Sequence, residues 1–203
     1  MRLVIATTNR HKLCEIRGIF AGSPVTIDGL DAFPAVTEPE ETGRTFAENG
    51  RQKARYYAAQ LGVTAVAEDS GIEIDGLDRE PGVYSARYGG DAAPTYPQKF
   101  ALIYERLRER NALGCPARFV CALAVAAGPR ILYEARGTIE GRVADAPRGS
   151  GGFGYDPIFY FPERDLTLAE LTEDEKAVVS HRGQAFRQLR AFLESHNWHW
   201  PDK

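Results

Sequence analysis

At 203 residues, with 43% hydrophobic and 26% charged side chains, the chain has the make-up of a globular protein able to bury a substantial core. Its net charge of -3 argues against a sequence-independent nucleic-acid binder, whose affinity rests on neutralising phosphates, but leaves room for a small anionic ligand. The three cysteines, Cys14, Cys115 and Cys121, lack CxxC spacing, which speaks against a zinc site; Cys115 and Cys121 flank a strand-like run and read as small core residues in a reducing compartment.

In chain order, Leu3 to Ala6 predicts a short buried strand. Lys12 to Phe20 predicts a helix with Leu13, Ile16 and Phe20 on one face. A second helix is expected over 46–61, opened by a Thr45/Glu48 capping box and closed by Gly62. Val63 to Ala67 then reads as a strand that ends in Glu68-Asp69-Ser70-Gly71. Residues 97–111 predict a third helix, rich in Arg and Glu, whose charges form a solvated face. Ala117–Ala127 and Arg130–Val143 predict two long strands joined as a hairpin through Gly128-Pro129. A Gly-rich loop over 149–154 leads into a further strand at 157–160. A Thr172/Glu175 capping box opens a helical region that runs to about Ser195. Strand-helix-strand punctuation of this kind predicts one mixed α/β unit spanning residues 1–203. The longest apolar run, Cys121 to Ala127, is too short to cross a bilayer, and the expected location is the cytoplasm.

Five segments could carry chemistry, one of them the acidic loop Glu38-Pro39-Glu40-Glu41-Thr42-Gly43, which by itself reads as a solvated loop. Glu68 and Asp69 at the end of an apolar strand are costly to bury unless they hold a cation or a proton; equally, Asp-Ser-Gly suits a plain turn. Thr7-Thr8-Asn9-Arg10-His11-Lys12 lies where a strand passes into a helix, which suits a phosphate chain or, more simply, an ordinary helix cap. It is not a Walker A loop, because no GxxxxGK[ST] occurs in the chain. Gly149 to Asp156 contains a formal GxGxxG but precedes a strand, so a dinucleotide fingerprint is excluded; Phe153 is left to stack on a flat ligand or to pack inward. Lys176 and Ser180-His181-Arg182 offer donors to polar atoms of a base, although a histidine beside a helix is often structural.

Taken together, Thr7-x-Asn9-x-x-Lys12, Glu40-Glu41-Thr42-Gly43 with Thr45-Phe46-x-Glu48-Asn49, Asp69-Ser70-Gly71, Pro81 to Tyr88, Gly152 to Pro157 and Ser180-His181-Arg182 occur in order over nearly the whole chain. This series closely resembles the inosine triphosphate pyrophosphatase family. Two departures stand out: Glu68 occupies a position where bacterial members commonly have Asp, and Arg10-His11 replaces smaller residues.

The resemblance implies an α/β fold of two lobes, with a mixed, twisted sheet flanked by helices and the active site in the cleft between the lobes. It implies magnesium-dependent hydrolysis of deaminated purine nucleoside triphosphates (ITP, dITP, XTP) to the monophosphate and pyrophosphate. Asp69 would then be the general base and a metal ligand, and Glu40 the other ligand. Thr7, Thr8, Asn9, Arg10, His11 and Lys12 would hold the triphosphate. Ser70, Phe153, Gly154, Tyr155, Asp156, Lys176, His181 and Arg182 would complete the substrate site. A homodimer is also implied, with Pro81 to Tyr88 either its candidate interface or a loop packed on its own domain, and no nucleic-acid or membrane partner. A nucleotide sensor that has lost hydrolysis is the alternative outside enzymes, and a terminal phosphohydrolase the alternative within them.

Overall fold

The structure is a computed structural model and describes residues 2–195. Seven strands form one mixed sheet in the order β2-β1-β3-β4-β5-β6-β7. They are β1 (Arg2–Ile5), β2 (Thr26–Asp28), β3 (Thr64–Ile74), β4 (Pro116–Ala127), β5 (Arg130–Val143), β6 (Phe159–Phe161) and β7 (Leu166–Thr167). Among the described residues five α-helices accompany them: α1 (Arg10–Phe20), α2 (Phe46–Leu61), α3 (Tyr96–Glu109), α4 (Glu173–Val179) and α5 (His181–Ser195). The chain divides into two compact units, one of residues 1–69, 121–137 and 181–203, the other of residues 70–120 and 138–180.

In the first unit β1 pairs in parallel with both β2 and β3, with Leu3 opposite Ile27 and Val4 opposite Ala65. Successive strand residues face opposite ways, and here each face has its own composition. Leu3, Ile5, Val66, Cys121, Leu123 and Val125 pack with Leu13, Ile16 and Phe20 of α1 and with Phe186, Leu189 and Leu193 of α5. Ala6, Ala65, Ala67, Ala124 and Ala126 pack instead with Ala54, Tyr57 and Ala58 of α2. Large residues on one face and alanines on the other let α2 lie close to the strands, because small side chains permit close backbone approach. A Cβ added at Gly50 of α2 would sit 3.0 Å from the Ala122 carbonyl oxygen and 3.8 Å from the Asp69 nitrogen.

Helix ends follow the local sequence. Asn9 caps α1, its Oδ1 accepting from the His11 and Lys12 N–H groups. Thr45 and Glu48 form the expected capping box at α2, and Gly62 ends it in the left-handed region at φ 63°. The Thr172/Glu175 box opens α4, and extended backbone at Ser180 (ψ 147°) separates it from α5.

The second unit is built on α3. Its Phe100, Ile103, Tyr104 and Leu107 pack with Ile72, Ile74, Phe119, Ile139, Val143, Phe159 and Phe161. β5 pairs antiparallel with β6, and β6 with β7. The two-residue Gly128-Pro129 link between β4 and β5 is the expected hairpin, since only antiparallel neighbours can be joined so tightly.

Two expectations need correction. The strand after α2 does not stop at Ala67 but runs through Glu68-Asp69-Ser70-Gly71 to Ile74. Buried Ile72 and Ile74 continue its alternation, and Gly71 marks a close approach of neighbouring chain: a Cβ there would lie 2.2 Å from the Ser85 Oγ. Asp-Ser-Gly is therefore strand and not turn. The strand expected at 157–160 starts at Phe159, because Asp156-Pro157-Ile158 forms a 3-10 turn first. Strands β2 and β7, of three and two residues, were not expected; elements that short carry too few side chains to show a period.

Candidate active site

The alternation of β3 decides where its two acids go. Glu68 shares the parity of Val66 and faces α1 and α5; Asp69 shares that of Ala65 and Ala67 and faces α2. Neighbours in the chain thus enter two separate networks.

Glu68 is buried against two cations. Its Oε1 lies 2.7 Å from Lys12 Nζ of α1 and 3.3 Å from Arg182 Nε of α5. Arg182 Nη1 in turn lies 2.8 Å from Glu15 Oε2. The Cys121 thiol, 3.6 Å from Glu68 Oε2, closes the group as a weak donor. Burial pushes the Glu68 carboxyl toward its neutral form, but Lys12, Arg182 and Lys53 overcome this and hold it well below the usual carboxylate range. Cys121, buried beside that carboxylate, has its thiol pushed up and stays protonated.

Asp69 meets different partners. Asn49 Nδ2 donates to its Oδ2 at 2.9 Å, and Lys53 Nζ lies 3.3 Å from its Oδ1. Lys53 also reaches Glu41 Oε1 at 2.6 Å, so one ammonium bridges two carboxylates. Burial raises the Asp69 pKa above its ordinary value against the pull of Lys53 and the Asn49 hydrogen bond. Burial opposes the Lys53 charge, yet Asp69, Glu68 and Glu41 together raise its pKa.

The loop acid in this network is the neighbour of the one expected. Glu40 is exposed, and its backbone carbonyl accepts from Gln52 Nε2 at 2.8 Å. Glu41 is the loop acid whose side chain joins Asp69, through Lys53. Lys53 escaped the sequence reading because a lysine between Gln52 and Ala54 looks like a solvated helix residue. The signal was its register: it falls between Gly50 and Tyr57 on the buried stripe of α2, where a charge needs a partner.

The first loop lies at the carboxyl end of β1, the edge at which open α/β sheets place ligands. Thr7 Oγ1 accepts from the Asn9 N–H at 3.2 Å, and Thr8 Oγ1 donates to Glu38 Oε1 at 2.7 Å. The helix-cap reading and the anion reading hold together: Asn9 caps α1, and the junction still presents a helix N-terminus. Arg10 and His11 are exposed there. His181 and Arg182 open α5, both buried, and Arg182 is committed to Glu68 and Glu15.

The second unit holds the other predicted residues. Lys176 Nζ stands 4.4 Å from the centroid of the Phe153 ring and pairs with Asp156 Oδ2. The same Oδ2 accepts from the Phe153 N–H at 2.7 Å. Gly152, at φ 66°, makes this possible, since a Cβ there would lie 2.1 Å from that oxygen. Tyr155 donates to the Ser85 carbonyl at 2.7 Å and packs edge-on against Tyr96, whose hydroxyl would touch a Cβ placed on Gly154. Phe153, Gly154, Tyr155, Asp156 and Lys176 thus form one cluster. Ser70, half-buried, precedes Gly71 on β3.

The donor set suits a hard cation. Asp69 and the acidic loop of Glu40 and Glu41 offer carboxylate oxygens, and Mg2+ takes one or two carboxylates with water and phosphate oxygens completing its shell. Among the described residues no group of three or more His, Cys, Asp and Glu side chains could hold a metal by themselves.

The Ham1 family pattern matches residues 3–192. A dITP/XTP pyrophosphatase of Exiguobacterium sp. is 46% identical over 192 residues, covering 94% of this chain and 96% of that protein. A dITP/XTP pyrophosphatase of Thermus thermophilus is 46% identical over 198 residues, covering 97% and 92%. Among solved structures, a HAM1 protein from Coxiella burnetii matches with a TM-score of 0.88 and 39% identity, covering 96% of this chain and 99% of that one. The chain belongs to the Ham1 family, and the relatives it matches are nucleoside triphosphate pyrophosphohydrolases.

Proposed function

We propose that the protein hydrolyses deaminated purine nucleoside triphosphates, namely ITP, dITP and XTP, at the α-phosphorus, releasing the nucleoside monophosphate and pyrophosphate. The observation that carries this reading is the Asp69–Lys53–Glu41 bridge, set in a chain 46% identical to a dITP/XTP pyrophosphatase. Removal of deaminated nucleotides from the cytoplasmic pool follows from that substrate class.

Each residue has a task that its surroundings support. Asp69 accepts the proton of the attacking water; its raised pKa brings it nearer to the operating pH than an ordinary aspartate. Asp69 and Glu40 would hold Mg2+, which when bound supplies charge neutralisation and orientation of the phosphates. Lys53 ties Asp69 to Glu41 and stabilises charge on the transferring group. The N–H groups and side chains of the 7–12 loop hold the phosphate chain, with Lys12 steadied by Glu68. Arg182 acts from the interior by fixing Glu68.

Phe153 takes the base by stacking, with Lys176 and Asp156 beside it. Hypoxanthine and xanthine carry a keto oxygen at position six where adenine carries an amino group. A donor such as His181 or a backbone N–H pairs with the keto oxygen and rejects adenine, at a cost of about 1–3 kcal/mol for each buried group left unpaired.

Product analysis tests the reading. ITP with Mg2+ yields pyrophosphate and inosine monophosphate in equal amounts. Orthophosphate with inosine diphosphate would overturn cleavage at the α-phosphorus, and binding without turnover would make the protein a nucleotide sensor.

A further inference from the structure

Strand β5 thins along the face that meets α5. Tyr133 and Ala135 pack into the cluster that holds this helix, and Gly137 continues the alternation with no side chain. Tyr133 stacks on Phe192 near the end of α5, with ring centroids 4.3 Å apart. Beside the start of α5 nothing fits: a Cβ at Gly137 would overlap the His181 carbonyl oxygen and lie 2.8 Å from the Ala185 nitrogen. Both obstacles are backbone, so no change of rotamer clears them. Gly137 is not in the left-handed region, and the position uses the missing side chain and not backbone freedom. The series Tyr133, Ala135, Gly137 thus inclines α5 against the strand, with its first turn pressed closest.

What sits there is His181, the proposed donor to the base. It is the first residue of α5 and is buried. The rest of the helix is held from other directions. Arg182 is pinned by Glu68 of β3 and Glu15 of α1, and Phe186, Leu189 and Leu193 lie in the core. Gln188 Nε2 donates to the Arg136 carbonyl at 2.8 Å, which ties α5 to the residue before Gly137. A methyl group at position 137 meets a helix that cannot slide as a body, so the displacement falls on its first residue.

We propose that Gly137 is a positioning residue for base selection, setting the depth at which α5 presents His181 and acting through it, not on the substrate. This rests on the reading of His181 as a donor to the keto oxygen of the base. Gly137→Ala requires the helix start to draw back by about 1 Å, a misplacement that can cost on the order of 100-fold.

The test measures kcat and KM of the full-length protein for dITP and dATP at saturating Mg2+. Gly137→Ala is expected to raise the KM for dITP about 10–100-fold and to leave kcat within about threefold. The adenine amino group cannot pair with that donor, so kcat/KM for dATP stays within about threefold and the preference for dITP falls about 10–100-fold. The control Gly18→Ala, in α1 where an added Cβ meets nothing within 4 Å, keeps wild-type constants. The double variant Gly137→Ala/His181→Ala is no less selective than His181→Ala, because both changes act through one residue.

An unchanged preference in Gly137→Ala, with both substrates affected equally as a purely structural role would do, would overturn the proposal. Additive losses in the double variant would overturn it too. If Gly137→Ala does not fold, Gln188→Ala decides: it loosens the same seat from the solvent side and lowers the preference about three- to tenfold, whereas a wild-type preference overturns the proposal. The base-donor reading fails separately: it is wrong if His181→Ala keeps the wild-type preference.

Discussion

Glu68 and Asp69 are adjacent in the chain, and period-two geometry gives them different work. Glu68 is a buried anion held between Lys12 and Arg182, and removing one partner of such a group leaves uncompensated charge in the interior. Glu68→Gln is therefore expected to destabilise the fold by about 3–5 kcal/mol, read from urea unfolding at neutral pH. The sign of its pH dependence follows from the depressed pKa. The unfolded carboxyl titrates near 4.5 and the folded one well below, so the stabilisation is fully present above about pH 4.5 and fades as pH falls through the folded value. The difference in stability between wild type and Glu68→Gln should thus stay constant from pH 8 to about 5 and shrink in stronger acid. A difference that grew in acid would contradict this account.

At the scale of elements, the loop before α2 supplies the second acid and α2 supplies the lysine that ties it to Asp69. Glu40→Gln is expected to raise the Mg2+ needed for half-maximal turnover by about 10–100-fold, and Glu41→Gln, which leaves Lys53 tied to Asp69 alone, by less. The reverse order would move the ligand role to Glu41. The elements themselves were largely legible. Capping boxes at Thr45 and Thr172, Gly62, and the 3.6-residue stripe of α2 gave its helix to the residue, because local hydrogen bonding and helical period act over short stretches of chain. The continuation of β3 through Asp69-Ser70-Gly71 was hidden, since those residues favour turns and only the approach of Ser85 makes a strand glycine useful there. The pairing of Glu41 with Lys53 was hidden too: an irregular loop has no period to single out one of two neighbouring acids, and Asn49 and Gln52 fix the loop from six and twelve residues away.

For the whole molecule, the order of motifs and the alternation of strands and helices were enough to predict a mixed α/β sheet, and the seven-stranded sheet agrees. The pairing of distant cations was not legible, because Lys12, Glu68 and Arg182 come together only when β3, α1 and α5 pack. The expected dimer belongs to this scale as well. Gly82–Arg87 forms a 3-10 helix on which Tyr84 is 58% exposed, with the Arg87 guanidinium 5.1 Å from its ring. An exposed aromatic and arginine together are typical of an interface centre, and light scattering is expected to give twice the monomer mass of 22.4 kDa; a monomeric mass would contradict it. The central claim is that Asp69 serves the reaction and not the fold. The most direct test is the turnover of dITP with saturating Mg2+ by Asp69→Asn, measured as pyrophosphate released. The account predicts a loss of about a thousandfold or more with an unfolding midpoint equal to or above wild type, because the carboxylate removed is one that burial disfavours. Turnover within a few fold of wild type would contradict it.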